Sequence, residues 1–210
     1  MAIVFALAVP HPPIIMPEIG RGEERKIQKT IDGFKEVARR AAGFDPDTIV
    51  VFSPHSTVYS DYFHISPGTS ARGDLGRFGA RRVSVEMDYD TEFVNELSML
   101  AESEGLAAGT LGERDKALDH GTLIPLHFLS PYKLKAKLVR IGISGLSFID
   151  HYRLGKLIAR ISNDLNKKTV IIASGDLSHK LKEDGPYGFA EEGPEFDRQI
   201  IDILSSGDFH

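Results

Sequence analysis

Four of the eight histidines share one kind of local sequence, a short turn-like segment in which proline, glycine or serine flanks the imidazole. They are His11 in Val9-Pro10-His11-Pro12-Pro13, His55 in Ser53-Pro54-His55-Ser56, His120 in Leu118-Asp119-His120-Gly121-Thr122, and His179 in Ser174-Gly175-Asp176-Leu177-Ser178-His179. Apolar, strand-like runs precede three of them, at residues 3–9, 48–52 and 169–173. Neutral imidazole is a common ligand of iron, zinc, copper and nickel. Because ligands gather at the carboxyl ends of strands in an α/β sheet, the pattern predicts a metal site there.

Proline and glycine give these segments defined backbone geometries. The prolines on both sides of His11 fix their own torsions and restrict the residue before them, which gives the ring a rigid platform. Gly121 permits another group to approach the backbone beside His120. Thr122 is expected to cap the helix that runs through residues 124–129. The candidates to orient the rings by hydrogen bonding are Asp119, Asp176, Ser56 and Ser178.

The other histidines fit ordinary structural roles, since a single histidine is more often a surface or core residue than a metal ligand. His64 alternates with apolar neighbours in a strand-like segment, and His127 lies in an apolar, helix-like run. His151 lies near a predicted helix start, and His210 is the last residue. We therefore expect none of the four at the metal site.

The composition is that of a globular protein, with 41% apolar and 26% charged residues. A net charge of −5 without a basic block gives no indication of a nucleic-acid partner. The absence of cysteine excludes disulfides, thiolate ligands and a cysteine nucleophile. Residues 1–9 are apolar but lack a basic flank and end at proline, so they predict a buried strand and not a signal peptide or membrane span. A cytoplasmic location is the expectation.

Alternating strand-like and helix-like segments predict a single α/β domain, with a central, mostly parallel or mixed sheet flanked by helices. The strand-like segments are residues 3–9, 48–52, 61–66, 82–87, 138–143 and 169–173. The helix-like segments are residues 23–42, 91–105, 148–166 and 194–205. A length of 210 residues suits one such domain, which we assign to residues 1–210.

Two further segments carry expectations of their own. Residues 67–82 are rich in glycine and arginine and predict a long loop, which would be functional because ordered loops of that length are uncommon. Residues 205–210 follow a helix and look like a connection toward further sequence. We therefore expect the chain to be either truncated at its C-terminus or a naturally short form.

The four histidine segments, taken together, resemble those of the class III extradiol ring-cleavage dioxygenases of the B-subunit type and of the related Memo-like proteins. The resemblance covers essentially the whole chain and is anchored on Val9-Pro10-His11-Pro12-Pro13, Ser53-Pro54-His55, Leu118-Asp119-His120-Gly121 and Gly175-Asp176-Leu177-Ser178-His179. Within these families, the sequence most resembles members that occur alone or fused to an AMMECR-type domain in anaerobic bacteria and archaea.

The resemblance implies a non-haem iron(II) site, which the dioxygenases build from two histidines and one glutamate. His11 and His55 match the two histidine ligands. His179 matches the histidine that acts as acid and base beside the substrate, and His120 matches a second histidine that lines the pocket. The aromatic residues that we expect to line this pocket are Tyr59, Tyr62 and Tyr187.

The carboxylate ligand is where this chain departs from the dioxygenases. In that family the glutamate lies near the C-terminus, past the end of this sequence, and the glutamates of residues 191–195 do not fit its motif. In Memo-like proteins the histidine at the His179 position is itself a metal ligand. The resemblance therefore also implies a three-histidine site of His11, His55 and His179.

Three functions follow from these observations. The first is a metal-dependent extradiol dioxygenase that acts on a catechol-type aromatic, with iron(II) as the expected cofactor and zinc as the alternative. The second is a non-catalytic Memo-like protein that binds a metal or a peptide. The third is a zinc hydrolase, which the lack of a clear carboxylate general base beside the ligands disfavours. The expected partners are a small aromatic substrate or a protein, with self-association into a homo-oligomer, and neither nucleic acid nor membrane.

The metal hypothesis predicts how far apart the ligand atoms lie. The ring nitrogens of His11, His55 and His179 should lie within about 3–5 Å of a common point, because metal–imidazole bonds are about 2.0–2.1 Å long. His120 should line the same pocket.

Overall fold

The structure is a computed structural model that describes residues 3–207. The strands are β1 (Ile3–Val9), β2 (Thr48–Ser53), β3 (Phe63–His64), β4 (Ser70–Leu75), β5 (Ala80–Asp88), β6 (Ala108–Gly109), β7 (Lys137–Gly142) and β8 (Thr169–Ser174). The α-helices are α1 (Pro17–Gly20), α2 (Gln28–Gly43), α3 (Thr91–Ser103), α4 (His120–Leu129), α5 (Phe148–Asp164) and α6 (Glu192–Ser206). Among residues 3–207, no helix is both long enough and apolar enough to cross a membrane.

A four-stranded parallel sheet, in the order β1-β8-β2-β7, forms the centre of the fold. Strands β1, β2 and β8 are largely apolar runs, as expected for a parallel sheet covered by helices, whereas β7 carries Arg140 among apolar residues. The register pairs Val9 with Ser174 and Ser53 with Gly142, so the strands end together at one edge. The predicted α/β class, with a mostly parallel sheet flanked by helices, is confirmed.

Two hydrophobic clusters lie on the two faces of this sheet, because successive strand residues point to opposite sides. Val51 and Ile172 belong to the first cluster, which also contains Leu123 of α4 and apolar residues of α2. Val50 and Val139 belong to the second cluster, together with apolar residues of α3 and α5. Burial of both faces fixes the strand register and with it the positions of the residues that follow each strand.

The expectation of a long loop at residues 67–82 is wrong. The segment forms β4 and a short 3-10 helix, and β4 pairs antiparallel with β5. Its glycines serve packing: a side chain at Gly73 would collide with the backbone carbonyl of Leu118, whose amide donates to the Arg72 carbonyl. Glycine in a strand marks such a close approach as readily as it marks a turn.

Two further boundaries differ from expectation. The first predicted helix begins later, at Gln28, because a 3-10 helix occupies Glu23–Ile27. Thr122 is not the cap of α4; Asp119 is, and its carboxylate accepts a hydrogen bond from the Thr122 amide. An N-cap aspartate satisfies an amide that has no partner within the helix.

The chain divides into two compact units, the first ending at Gly175 and the second beginning at Asp176. The second unit contains α6 and a bridge between Leu181 and Phe189. Within it, the Ser178 amide donates to the Asp197 carboxylate. The second unit therefore holds His179 on a segment that is tied to α6.

His64 is a buried polar residue of the first unit. It is 0% exposed, and neither ring nitrogen has a hydrogen-bond partner among the residues that the structure describes. Burial, with a smaller effect of the nearby Arg140 charge, lowers the pKa of His64 to about 4. The ring is thus neutral in the folded protein and acts as a core side chain.

We expect this residue to make folding sensitive to acid. The pKa of His64 in the folded state lies below the unfolded value of 6.5, so its contribution to stability is complete above pH 6.5 and is lost as pH falls toward 4. The full loss is about 3 kcal/mol at about 1.4 kcal/mol per pKa unit. His64→Leu should flatten the dependence of the unfolding free energy on pH between 6.5 and 4, measured by urea unfolding. His151→Gln is the control, and an unchanged slope in His64→Leu would contradict the assignment.

Candidate metal centre

Three histidines of the first unit meet where the central strands end. His11 and His55 each lie two residues past the end of a strand, β1 and β2 respectively. His120 is the first residue of α4. Each offers a ring nitrogen, and these nitrogens all lie within 4.8 Å of one another. The ring centroids of His55 and His120 are 4.0 Å apart. Among the residues that the structure describes, His11, His55 and His120 form the group whose ligand atoms lie close enough together to hold a metal ion.

The closest approach in the cluster suits a shared ion. Nε2 of His11 lies 3.1 Å from Nε2 of His55. Two nitrogens bound at right angles to one ion, each at about 2.0–2.1 Å, are separated by about 3 Å. The rings are also nearly perpendicular, at 85°. The residues present therefore fit a first-row metal ion at this edge of the sheet.

Two serine hydroxyls at the ends of β2 and β8 donate hydrogen bonds to the start of α4. Ser53 Oγ donates to Asp119 Oδ1 at 2.5 Å and accepts from the His55 amide at 3.2 Å. Ser174 Oγ donates to the Gly121 carbonyl at 2.5 Å and lies 2.8 Å from His11 Nδ1. A side chain at Gly121 would lie 2.5 Å from Ser53 Oγ, which confirms the expected close approach at this glycine.

Sequence reasoning missed both serines. The sequence did contain an indication of their role, since each serine is the polar last residue of an otherwise largely apolar strand. Their partners, however, lie 66 and 53 residues away in the sequence. Of the serines proposed in their place, Ser56 has a buried hydroxyl without a partner among residues 3–207, and Ser178 accepts from the Lys180 amide.

A buried arginine supports the segment that leads into α4. Arg140 lies on β7, is 1% exposed, and donates to Ser66 Oγ and to the carbonyls of Asp115 and Ala117. It also donates to the Glu113 carboxylate at 3.2 Å. Burial raises the pKa of Glu113, and the Arg140 charge opposes that rise. The guanidinium therefore fixes residues 113–119, and with them the position of His120.

A cavity opens beside this cluster. Its volume is about 500 Å³, and its lining includes His55, His120, Asp119 and the hairpin residues Arg72 and Phe78. The Phe78 ring meets the His120 ring edge-on, with centroids 5.2 Å apart. A cavity of this size fits a small aromatic molecule.

The expected pocket tyrosines take other places. Tyr59 donates to the Gly112 carbonyl, and the Tyr62 hydroxyl lies against the amide of Leu111, so neither lines this cavity. Tyr187 belongs to the second unit, where its ring lies 4.8 Å from that of His179.

His179 is half exposed, and its Nε2 lies 3.4 Å from Asp176 Oδ2. Asp176 is thus suitably placed to orient this ring, as the sequence indicated. Because His179 belongs to the second unit, its role toward the cluster stays a prediction.

The remaining histidines have separate surroundings. His127 lies in the last turn of α4, where burial lowers its pKa. His151 packs edge-on against Phe63, with centroids 4.6 Å apart. The expectation for His210 falls outside the described residues.

Comparison with known proteins identifies the family to which the chain belongs. Residues 5–210 match the family described as the catalytic LigB subunit of aromatic ring-opening dioxygenase. The match covers almost the whole chain. The chain belongs to this family.

Several relatives show how far the similarity extends. Protein CA_C1420 of Clostridium acetobutylicum is 38% identical over 206 residues, which are 95% of this chain and 44% of that protein. The 3,4-dihydroxyphenylacetate 2,3-dioxygenase of Escherichia coli is 30% identical over 226 residues, 99% of this chain and 79% of the enzyme. A 2,3-dihydroxyphenylpropionate/2,3-dihydroxicinnamic acid 1,2-dioxygenase of a Mycobacterium species is 29% identical over 191 residues, 85% of this chain and 58% of that enzyme. The chain thus spans about half the length of the first and third of these relatives.

We predict that Arg140→Met lowers the free energy of unfolding by about 3–5 kcal/mol, because it leaves Glu113 and two carbonyls without their buried partner. The matched control is Arg160→Met, which removes ion pairs of an exposed arginine with Glu104 and Asp164 and should cost less than about 1 kcal/mol. Chemical denaturation of both variants gives the comparison. Equal, small losses would show that Arg140 is not a structural support of this segment.

Proposed function

We propose that this chain provides the metal site of a non-haem, metal-dependent extradiol dioxygenase that opens a catechol-type aromatic ring. The observation that carries the proposal is the 3.1 Å approach of two imidazole Nε2 atoms, from His11 and His55, beside a cavity of about 500 Å³. Membership of the ring-opening dioxygenase family supports the same reaction. Iron(II) is the proposed cofactor.

When bound, iron(II) would supply a Lewis-acidic template and an electron conduit between the catechol and O₂. The overall reaction breaks one ring carbon–carbon bond next to a hydroxyl-bearing carbon and places both atoms of O₂ in the product. The chain's own task is to hold the ion, to position the substrate and to move protons.

His11 and His55 are the proposed ligands. His11 is 2% exposed and rests on Ser174, so its ring is fixed before any ligand arrives. Preorganisation of this kind lowers the cost of binding. The third protein ligand has two candidates. His120 belongs to the cluster within 4.8 Å, and the Memo-like resemblance implies His179.

Proton transfer is the second task. We propose that His179 accepts a proton from a substrate hydroxyl and returns one as the ring opens. Asp176, at 3.4 Å, would hold that imidazole in orientation. His120, which lines the cavity, would donate or accept a hydrogen bond at a substrate oxygen.

The substrate proposal is a catechol. The two named enzymes among the relatives act on dihydroxyphenyl compounds, as their names state. The Phe78 ring and the His120 imidazole both line the cavity, so a planar aromatic molecule bound there would contact aromatic rings. Aromatic contacts of this kind contribute about 0.5–1.5 kcal/mol beyond area burial.

The function is tested with protein purified and loaded with iron(II) in the absence of oxygen. Addition of O₂ and catechol, or of 3,4-dihydroxyphenylacetate, should give the yellow ring-opened product, and His55→Ala should not. Stoichiometric zinc with hydrolytic activity and no ring opening would instead identify a zinc hydrolase. Binding of a protein partner without metal would identify a non-catalytic Memo-like protein, and either result would overturn the dioxygenase.

We predict that His11→Ala and His55→Ala each lose stoichiometric metal and keep their fold, because both residues lie past strand ends and outside the apolar clusters. Metal content by plasma emission and circular dichroism measure the two properties. His127→Ala, at the other end of α4, is the control and should retain metal. The same assay on His120→Ala and His179→Ala identifies the third ligand as the one whose loss weakens binding. Full metal content in both His11→Ala and His55→Ala would refute their assignment as ligands.

A further inference from the structure

The Ser174 hydroxyl makes two short contacts at the end of β8. Its oxygen lies 2.5 Å from the Gly121 carbonyl oxygen and 2.8 Å from His11 Nδ1. The residue is 5% exposed, so water does not compete freely for these contacts. Both partners are distant in sequence, which means that the fold brings the three groups together.

The chemistry of the two contacts fixes where the hydrogens lie. A carbonyl oxygen only accepts, so the single hydrogen of the Ser174 hydroxyl must point at Gly121. The hydrogen between Ser174 and His11 must then come from the ring, at Nδ1. In a neutral imidazole that carries its hydrogen on Nδ1, the Nε2 atom keeps its lone pair.

We propose that Ser174 is a positioning residue that holds His11 in the Nδ1–H tautomer, so that Nε2 is the nitrogen offered to the metal. This inference rests on the proposed metal site and deepens it. Nε2 is the atom that faces His55 Nε2 at 3.1 Å, so the tautomer places the lone pair on the side where the two rings converge. The opposite tautomer would place a hydrogen there and oppose metal binding.

Ser53 provides an instructive contrast. It also ends a buried strand and also donates to the first turn of α4, through Asp119. It accepts, however, from the backbone amide of His55 and not from the ring. Ser53 therefore fixes the path of the chain, whereas Ser174 acts on the protonation pattern of an imidazole.

The first test reads the tautomer directly. Long-range ¹H–¹⁵N spectra distinguish the pyrrole-type from the pyridine-type ring nitrogen, and loss of signals in His11→Gln assigns the His11 ring. Wild-type protein at neutral pH should show the hydrogen on Nδ1 of His11. A His11 ring with its hydrogen on Nε2 would overturn the proposal without any mutation of Ser174.

The second test measures metal affinity with a zinc-buffered chelator competition. Ser174→Ala should bind zinc about 10–100-fold more weakly than wild type, the effect typical of a lost ring partner. Ser174→Thr keeps the hydroxyl and should restore most of the affinity. Ser162→Ala is the matched control, because its buried hydroxyl donates to Ile158 within α5, away from the cluster.

The outcomes separate this inference from the proposed function. Weaker zinc binding and a mixed His11 tautomer in Ser174→Ala, with wild-type behaviour in Ser162→Ala, support the role of Ser174 even if no catechol is cleaved. Unchanged affinity and tautomer in a folded Ser174→Ala overturn that role even if the enzyme opens catechol rings.

Discussion

The first turn of α4 is the constraint on which the candidate centre depends. Asp119 caps this helix, and Gly121 lies within its first turn. Each receives a hydrogen bond from a serine that ends a strand, Ser53 in one case and Ser174 in the other. Because β2 and β8 are neighbours in the sheet, these two bonds bind the helix start to the sheet edge. His55, which follows β2, and His11, whose Nδ1 contacts Ser174, are held close to His120 as a result.

This arrangement requires polar groups to be buried, and the fold supplies their partners. The Asp119 carboxylate is shared by the Ser53 hydroxyl, the Thr122 amide and the Thr122 hydroxyl. Arg140 fixes the loop that precedes α4 through hydrogen bonds to backbone carbonyls. The same bonds stabilise the arginine, because a buried cation without partners would be very costly. The electrostatic support of the site thus comes from β7, one of the two edge strands of the sheet.

Much of this molecule could be predicted from the sequence, because β1, β2 and β8 are largely apolar runs and the helices carry apolar residues at helical spacing. His11 and His55 could be predicted as ligands because each lies in a proline-containing turn directly after one of these apolar strands. Strand β4 and its pairing with β5 were missed because Gly73 serves a close approach to Leu118, a contact that depends on tertiary structure. Ser53 and Ser174 were missed because a hydroxyl's partner across a sheet leaves no local pattern in the sequence.

The central claim is that His11 and His55 direct their Nε2 atoms to one metal ion at the carboxyl edge of the sheet. Anomalous diffraction from crystals of the protein grown with iron(II) under anaerobic conditions tests it most directly. The account predicts one strong peak about 2.0–2.3 Å from both Nε2 atoms, with the Nδ1 of His11 still in contact with Ser174. A peak at a site that involves neither histidine, or coordination of His11 through Nδ1, would contradict it.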